Sequence, residues 1–171
     1  EDGKPQEIAD FGASAAPFEV ALLLDTSGSA RSELQLIQRA AQNFINSLRP
    51  GDRVSVIAFR TQTAEGKAAP TAEVLTNLTS DRAALTDALA KMGTSNGTPY
   101  YDSLLKVAEN VFGNPAKPEF RGRRAMVALT DGVDSTSISD FSEAQELLAK
   151  TGIICYFIKV DTREGTYISR A

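Results

Sequence analysis

Four short runs of apolar residues divide the chain, and each has the length of a buried β-strand. They are FEVALLL at 18–24, VSVIAF at 54–59, AMVALT at 125–130 and IICYFIKV at 153–160. Runs without polar alternation are typical of strands that are covered on both faces of a sheet. A fifth segment, AEVLTNL at 72–78, is less apolar, which favours a strand at the sheet edge.

Between these runs, apolar residues recur at the spacing of amphipathic helices. The four stripes are Leu34, Ile37, Ala41, Phe44, Ile45 and Leu48; Leu85, Ala88, Leu89 and Met92; Tyr101, Leu104, Leu105, Ala108, Val111 and Phe112; and Ala144, Leu147 and Leu148. Helix-starting residues are Asp81, Pro99, and Asp140 with Glu143, and Gly152 follows the last stripe. Strands that alternate with helices require right-handed crossovers between parallel strands. The pattern predicts an α/β fold with a doubly wound, mainly parallel sheet, one antiparallel edge strand and helices on both faces.

Length and composition predict a single domain. The 171 residues are 42% hydrophobic, enough for one sizeable core and too few for two domains of ordinary size. We expect residues 1–17 to be a lead-in and linker and residues 18–171 to be the domain. No apolar run approaches the roughly 18 residues of a membrane span, so this segment is not expected to insert into a membrane. The first residue is Glu1 rather than methionine, as expected for a processed or excised segment.

The charged and reactive residues exclude several classes of function. A net charge of -4 argues against nucleic acid as the main partner, and the cluster of Arg121, Arg123 and Arg124 is interpreted as a solvated strand entrance. The absence of histidine excludes Ser-His-Asp and Cys-His catalysis and His-ligated zinc. The single cysteine, Cys155, excludes an internal disulfide and is predicted to be a small buried apolar residue.

Oxygen-bearing side chains follow the first and third apolar runs and precede one predicted helix. They are Asp25, Ser27 and Ser29 in DTSGS, Thr98 in SNGTP, and Asp131 in TDGVDS. Ligands of parallel sheets bind at the carboxyl ends of the strands, and these segments are expected to meet there if Gly28 permits a tight turn. A set of oxygen donors without nitrogen or sulfur favours a hard cation such as Mg²⁺.

A metal-free interpretation uses the same residues. Ser27 and Ser29 could cap the following helix while Asp25 accepts backbone N–H groups. The strand before DTSGS, the helix after it, and the distant Thr98 and Asp131 favour the metal site over this alternative.

Three further residues lie close to these segments in the sequence: Asp134, Tyr100 and Tyr101. Asp134 could support a second ion or orient Asp131 through water, or it could bond only its own turn. Tyr100 could edge the site, whereas Tyr101 falls on an apolar stripe and is predicted to be core.

Together these residues resemble the von Willebrand factor type A domain, whose metal-ion-dependent adhesion site has an Asp-x-Ser-x-Ser signature and a distant Thr and Asp. The resemblance covers about residues 18–160 and implies a Rossmann-like fold. It implies that Asp25, Ser27, Ser29, Thr98 and Asp131 hold Mg²⁺ or Mn²⁺, and that an Asp or Glu carboxylate of a protein ligand completes the shell.

The chain also resembles a bacterial subgroup labelled VWFA-related, through its opening EDGKPQEIADF. Members of that subgroup are commonly exported, so we expect a periplasmic, cell-surface or secreted protein. Two departures from the family are visible. Ala30 stands where bacterial relatives often carry methionine, and DTREGTYISRA stands where a helix, a strand and a final helix usually follow. We therefore expect an exposed apolar patch where those elements would dock.

These observations favour a non-enzymatic, metal-dependent protein-binding module. Two carboxylates balance the charge of Mg²⁺ while the hydroxyls add none, which leaves the ion able to accept a carboxylate from a partner. A Mg²⁺-dependent phosphotransfer enzyme is an alternative, because an aspartate beside Mg²⁺ at a strand end could act as a nucleophile. The first loop has no second acid, however, and no Walker lysine or general base is evident. A metal-independent interaction scaffold is the third interpretation.

Overall fold

The computed structural model describes residues 16–28, 30–64, 67–113, 122–131 and 133–160. Its elements, in chain order, are β1 (Phe18–Leu24), a 3₁₀ turn (Arg31–Glu33), α1 (Leu34–Ser47), β2 (Arg53–Ala64), β3 (Lys67–Thr79), α2 (Arg82–Ala90), α3 (Tyr100–Lys106) with a π-helical turn after it (Val107–Val111), β4 (Arg123–Thr130), α4 (Phe141–Thr151) and β5 (Ile154–Lys159). Most of the predicted linker and the segment 161–171 lie outside the described residues.

The five strands form one sheet in the order β3-β2-β1-β4-β5. β1 lies at the centre and is parallel to β2 and β4, β5 is parallel to β4, and β3 is antiparallel to β2 at the other edge. The predicted doubly wound, mainly parallel sheet with one antiparallel edge strand is therefore confirmed. Leu24, the last residue of β1, pairs with Ala58 on β2 and with Leu129 on β4.

Alternate residues of β1 supply two separate cores, one on each face of the sheet. Leu22 and Leu24 pack with residues of α1 and α2, whereas Ala21 and Leu23 pack with residues of α3 and α4. The three leucines are at most 1% exposed, and burial of each contributes about 1.5–3 kcal/mol. This two-sided burial explains the unbroken apolar run that precedes Asp25.

Three helix boundaries agree with the signals in the sequence. Asp81 caps α2 by accepting the N–H groups of Ala83 and Ala84, and Asp140 forms a capping box with Glu143 at the start of α4. Gly152 ends α4 with a φ of 65°, a left-handed conformation that glycine adopts without steric cost. At α3, the proline Pro99 occupies the N-cap position instead of the predicted first helical position.

The prediction that the last apolar run is covered on both faces is wrong for the described residues. β5 is a sheet edge, and Ile154, Tyr156, Phe157 and Ile158 are 50–55% exposed. Cys155 is half-buried rather than buried, although burial still raises the pKa of its thiol. An apolar run indicates that burial of the strand would be favourable, but it does not show that another element packs against the strand. The described residues therefore show an exposed apolar patch on β5, as expected.

Near the amino ends of the strands, the basic cluster is not simply solvated. Glu19 is 2% exposed and accepts hydrogen bonds from the guanidinium groups of Arg53 and Arg124, the latter at 3.1 Å. Arg123 is exposed and lies over the ring of Phe18. The interpretation as a solvated strand entrance is therefore wrong for Arg124, because a buried acid on the neighbouring strand pairs with it. Arg121 lies outside the described residues.

In the part of the chain that the structure describes, no helix combines the length and apolar character needed to cross a membrane.

Candidate functional site

Asp25 lies directly after β1 and is fully buried. Its backbone N–H continues the pairing with β4 by donating to the carbonyl oxygen of Leu129 at 2.9 Å. One carboxylate oxygen, Oδ1, accepts the N–H of Ser27 at 2.9 Å, and the other, Oδ2, accepts the hydroxyl of Thr130 at 2.7 Å. Two hydrogen bonds thus hold this carboxylate at the carboxyl edge of the sheet. Each of its oxygens has a further lone pair with which it can bind a ligand.

The loop after Asp25 is fixed to two other elements. The hydroxyl of Thr26 donates to the carbonyl oxygen of Phe59 on β2, and the carbonyl oxygen of Thr26 accepts the N–H of Ser95 at 2.7 Å. Ser27 is 2% exposed. These contacts connect the first predicted ligand segment to the loop that leads to Thr98.

The helix-capping alternative does not account for Ser27. The 3₁₀ turn has Ala30 at its N-cap position, α1 has Glu33, and neither residue makes a side-chain capping bond. Ser27 therefore lies too far before the helix to cap it. Ser29 lies outside the described residues. Gly28 does not have a positive φ and has open space around a Cβ position, so conformational freedom of glycine is not what shapes this turn.

Thr98 is 4% exposed and is bonded through its backbone to the segment that follows β4. Its N–H donates to the hydroxyl of Ser135 at 3.0 Å, and its carbonyl oxygen accepts the N–H of Ser135 at 3.1 Å. The preceding residue, Gly97, is in close contact on two sides: a Cβ there would lie 2.6 Å from Cγ2 of Thr136 and 2.8 Å from Cγ of Pro70. Glycine is required here because of space.

Asp131 follows β4 and is partly exposed. Its Oδ1 accepts the N–H of Val133 at 3.1 Å. The residue lines a cleft of about 360 Å³. The other lining groups include Thr130, three aromatic rings of α3 and α4, and the last residues of β5, which end at Lys159. Asp131 is therefore accessible, whereas Asp25, which follows the neighbouring strand β1, is fully buried.

Asp134 has more hydrogen bonds than a residue that bonds only its own turn. Its Oδ2 accepts the N–H groups of Tyr100 and Tyr101 at 2.8 and 3.1 Å and the hydroxyl of Ser137 at 2.6 Å, and its Oδ1 accepts the N–H of Ser137 at 3.1 Å. Burial alone would raise the pKa of this carboxyl, but the hydrogen bonds from Ser137, Tyr101 and Tyr100 outweigh it and lower the pKa. The carboxylate form is therefore held at the start of α3.

The two tyrosines agree in part with their predicted roles, because Tyr100 lines the cleft beside Asp131 and Tyr101 packs against the core. Tyr100 is 8% exposed and belongs to the core cluster of α3 and α4, whereas Tyr101 is half-buried against it. The buried face of α3 starts at Tyr100 and continues through Leu104 and Val107, so the predicted stripe began one residue late. Burial raises the pKa of Tyr100, and Cys155, Tyr101 and the Asp25 carboxylate raise it further. Its hydroxyl is therefore a neutral group next to the site.

The donor set fits a hard divalent cation. Asp25, Ser27, Thr98 and Asp131 offer only carboxylate and hydroxyl oxygens, the ligands that Mg²⁺ and Mn²⁺ prefer. The described residues contain no group of three or more acids or cysteines that could hold a metal. Among the same residues, no buried side-chain nitrogen or oxygen lacks a hydrogen-bond partner. Hydrogen bonds within the protein thus satisfy the buried side chains of these segments.

Sequence reasoning missed the residues that connect the ligand segments. Thr26, Ser95, Thr130 and Ser135 are common polar residues, and neither strand nor helix periodicity marks them. The position of Thr130, at a strand end immediately before Asp131, was the one available signal, since it lies opposite the residue after β1.

A mainly parallel sheet with helices on both faces defines a Rossmann-like α/β domain. Its central strand is followed by the buried Asp25. The sequence model of the von Willebrand factor type A domain matches residues 20–133. The chain therefore belongs to the von Willebrand factor type A domain family. A search of curated protein sequences gave no match.

Solved structures have the same fold at low sequence identity. An aerotolerance-related membrane protein from Bacteroides fragilis superimposes with a TM-score of 0.62 at 19% identity, over 84% of this chain and 67% of that one. Proximal thread matrix protein 1 from the mussel byssus, whose structure has a zinc-occupied MIDAS motif, gives 0.69 at 22% identity, over 86% and 37%. The vWF domain of a type V pili tip protein from Porphyromonas gingivalis gives 0.55 at 18%, over 71% and 40%. At these identities the likeness shows the fold alone, and the chain spans between 37% and 67% of the three structures.

Proposed function

We propose that this domain is a divalent-metal-dependent protein-binding module. Asp25, Ser27, Ser29, Thr98 and Asp131 would hold Mg²⁺ or Mn²⁺ at the carboxyl edge of the sheet. An Asp or Glu side chain of a protein ligand would complete the shell. When bound, the ion supplies a positive charge that attracts this carboxylate.

The observation that carries the proposal is the buried carboxylate of Asp25 at the end of the central strand. It has two hydrogen bonds, one from Ser27 within its own loop and one from Thr130 on the neighbouring strand, which is followed directly by Asp131. A carboxylate without positive partners is costly to bury, and a cation beside it would compensate for that cost. The zinc-occupied MIDAS motif in the mussel protein supports the same type of site on this fold.

The charge count decides what kind of group binds. Two aspartates bring -2 against the +2 of the ion, so the loaded site is near neutral and tolerates one more carboxylate. Without the ion, the same aspartates repel it. At an effective dielectric of about 20, one charge about 4 Å away contributes roughly 4 kcal/mol, enough to switch binding on or off.

A Mg²⁺-dependent phosphotransfer activity has less support. The first loop has one acid, and the lysine that lines the cleft beside Asp131, Lys159, is the last residue of β5 and does not belong to a glycine-rich phosphate loop. We therefore propose a module without catalytic activity. A phosphatase screen with Mg²⁺ tests this choice. Turnover by the wild type that is lost in Asp25→Ala would favour the phosphotransfer enzyme over the binding module.

The proposal also includes export of the protein. Two of the similar structures are described as a membrane protein and as a domain of a pili tip protein, and these descriptions support export. The periplasm, the cell surface and the medium are the compartments expected here. Fractionation of the native cells with an antibody to the domain tests this part.

Calorimetric titration with Mn²⁺ tests the metal site. We expect weak to moderate affinity in the wild type, because two charged ligands contribute, and no binding heat in Asp25→Ala. Asp87→Ala makes the same change at an exposed position on α2 and is the matched control. Equal heats in the wild type and in Asp25→Ala would remove the basis of the site.

Partner capture with and without a chelator tests the carboxylate. The captured protein should dissociate in EDTA, and replacement of one of its exposed acids by the corresponding amide should abolish binding. A partner that binds equally well in EDTA, or that tolerates loss of each exposed acid in turn, would favour the metal-independent scaffold.

A further inference from the structure

We propose that Asp134 and Ser135 are positioning residues that fix Thr98 relative to Asp131, and that metal affinity depends on them although neither binds the ion. The inference rests on the proposed function, because it assigns Thr98 and Asp131 to the metal site. It concerns residues to which no metal-binding role is given by the family signature.

The first part of this link is a pair of hydrogen bonds, one from backbone to side chain and one between two backbone groups. Thr98 and Ser135 exchange two bonds, from the N–H of Thr98 to the hydroxyl of Ser135 at 3.0 Å and from the N–H of Ser135 to the carbonyl oxygen of Thr98 at 3.1 Å. A residue bonded through both its N–H and its carbonyl oxygen cannot shift without breaking one of the bonds. The backbone of Thr98 is therefore fixed to the segment that begins at Asp131.

The second part is the carboxylate of Asp134 at the start of α3. It accepts the N–H groups of Tyr100 and Tyr101, which have no partner within the helix because they belong to its first turn. Thr98 precedes that turn by two residues. The start of α3 and the segment after β4 are thus connected on both sides of Pro99.

Asp134 is assigned to positioning rather than to the ion because Oδ2, the oxygen that holds the start of α3, is already occupied. Oδ2 accepts three hydrogen bonds and Oδ1 accepts one, from two tyrosine N–H groups and from the N–H and hydroxyl of Ser137. An ion at Oδ2 would have to displace the bonds that hold α3. Direct ligation of a second ion through this oxygen, which belongs to one of the two interpretations open from the sequence, is therefore not favoured.

A second carboxylate strengthens the same connection from the helix side. Asp102 accepts the N–H groups of Ile138 and Ser139 at 3.0 and 2.9 Å, and its own N–H donates to the hydroxyl of Ser137 at 3.1 Å. α3 and the segment after β4 therefore hold each other through carboxylates in both directions. Such reciprocal bonds make the two segments move as one unit.

The experiment compares Asp134→Ala with Asp140→Ala. Both residues are acids in the same inter-element segment, and both cap a helix through backbone N–H groups, but Asp140 caps α4, which carries no predicted ligand. Both variants should lower stability, Asp134→Ala by more, because the Asp134 carboxylate accepts four hydrogen bonds and the Asp140 carboxylate accepts one. Only Asp134→Ala should weaken Mn²⁺ binding, by roughly tenfold to a hundredfold, as is typical when a group that orients a metal ligand is removed.

Ser135 provides an independent test with its own control. Ser135→Ala removes the hydroxyl that accepts the N–H of Thr98 and should weaken Mn²⁺ binding, whereas Ser135→Thr keeps the hydroxyl at an exposed position and should retain wild-type affinity. Hydrogen exchange at the amides of Thr98 and Tyr100 should accelerate in Ser135→Ala and Asp134→Ala, respectively. Both amides should keep their wild-type exchange rates in Asp140→Ala.

The outcomes separate the two proposals. Wild-type Mn²⁺ binding that is lost in Asp25→Ala but unchanged in Asp134→Ala and Ser135→Ala overturns the positioning role and leaves the metal site standing. Equal weakening in Asp134→Ala and Asp140→Ala also overturns it, because general destabilisation would then suffice. Absence of Mn²⁺ binding in the wild type overturns the proposed function and this inference with it.

Discussion

The hydroxyl of Thr130 donates a 2.7 Å hydrogen bond to Oδ2 of Asp25, which joins the carboxyl ends of β1 and β4 through their side chains. Both residues are buried. A neutral donor on the neighbouring strand therefore stabilises the carboxylate that we propose as the central metal ligand. Thr130 is therefore an uncharged residue that helps to hold this carboxylate in place.

Thr130→Val should lower the free energy of unfolding by about 1.5–3 kcal/mol, because a buried carboxylate loses a hydrogen bond while the side-chain shape is kept. It should also weaken Mn²⁺ binding. Urea unfolding and calorimetry measure the two effects. Thr130→Ser retains the hydroxyl and is the control. If the serine variant loses as much stability as the valine variant, packing of the methyl group is the dominant contribution instead.

Gly97→Ala should destabilise the protein and loosen the loop that carries Thr98. The added Cβ would lie under 3.0 Å from side-chain atoms of Thr136 and Pro70, and a proline ring has little freedom to move away. Thermal unfolding should show a loss of about 1–3 kcal/mol, the usual cost of overpacking.

Gly28→Ala is the control for this prediction, since a Cβ there meets no atom within 4 Å and φ is not positive. It should have wild-type stability. Equal losses in the two variants would show that backbone flexibility, rather than space at Gly97, is the common cause.

Stability should fall at acid pH partly through Asp52. Its carboxylate accepts the N–H groups of Phe18 and Arg49 at 2.8 and 2.9 Å. Burial raises the pKa of Asp52, but these hydrogen bonds and the Arg49 guanidinium lower it by more than burial raises it. The net shift of the pKa is therefore downward. A depressed pKa in the folded state contributes stability above the unfolded pKa of about 3.9, and this contribution is lost as pH falls through the folded value.

Asp52→Asn should therefore be less stable than the wild type at pH 7, by about 1–3 kcal/mol, and the difference should shrink below about pH 4. Urea titrations at several pH values measure it. Glu146→Gln is the control, because that side chain is fully exposed and its ion pair among the described residues is with Lys150 on its own helix. A difference that stays constant with pH would contradict ionisation of Asp52 as the cause.

Metal removal should leave the fold intact. Buried polar atoms of the described residues are already hydrogen-bonded without an ion, so dialysis against EDTA should preserve the far-ultraviolet circular dichroism spectrum. Added Mn²⁺ at about 100 times its Kd should then raise stability by about 2.7 kcal/mol. Asp25→Ala should show no such gain. Unfolding in EDTA would instead show that the ion is a structural component.

The sequence predicted the layers and the helix boundaries better than the connections between loops. The alternating cores of β1, the capping box of Asp140 and the left-handed Gly152 each depend on residues that are neighbours in the chain. The bonds of Ser135 to Thr98 join residues 37 positions apart, and no local pattern encodes that distance. The solvent exposure of β5 was missed for a related reason, because apolarity does not identify a covering element.

The alternation of β1 also makes this strand intolerant of insertions. Because odd and even positions serve opposite faces, one extra residue between Phe18 and Leu24 would rotate every side chain beyond it to the wrong layer. The same slip would displace Asp25 from Thr130. A substitution in this strand changes the packing of one side chain. A single-residue insertion would disrupt the packing on both faces of the sheet and the position of Asp25 at the same time. Length variation among natural relatives should therefore be confined to the loops and absent from this strand.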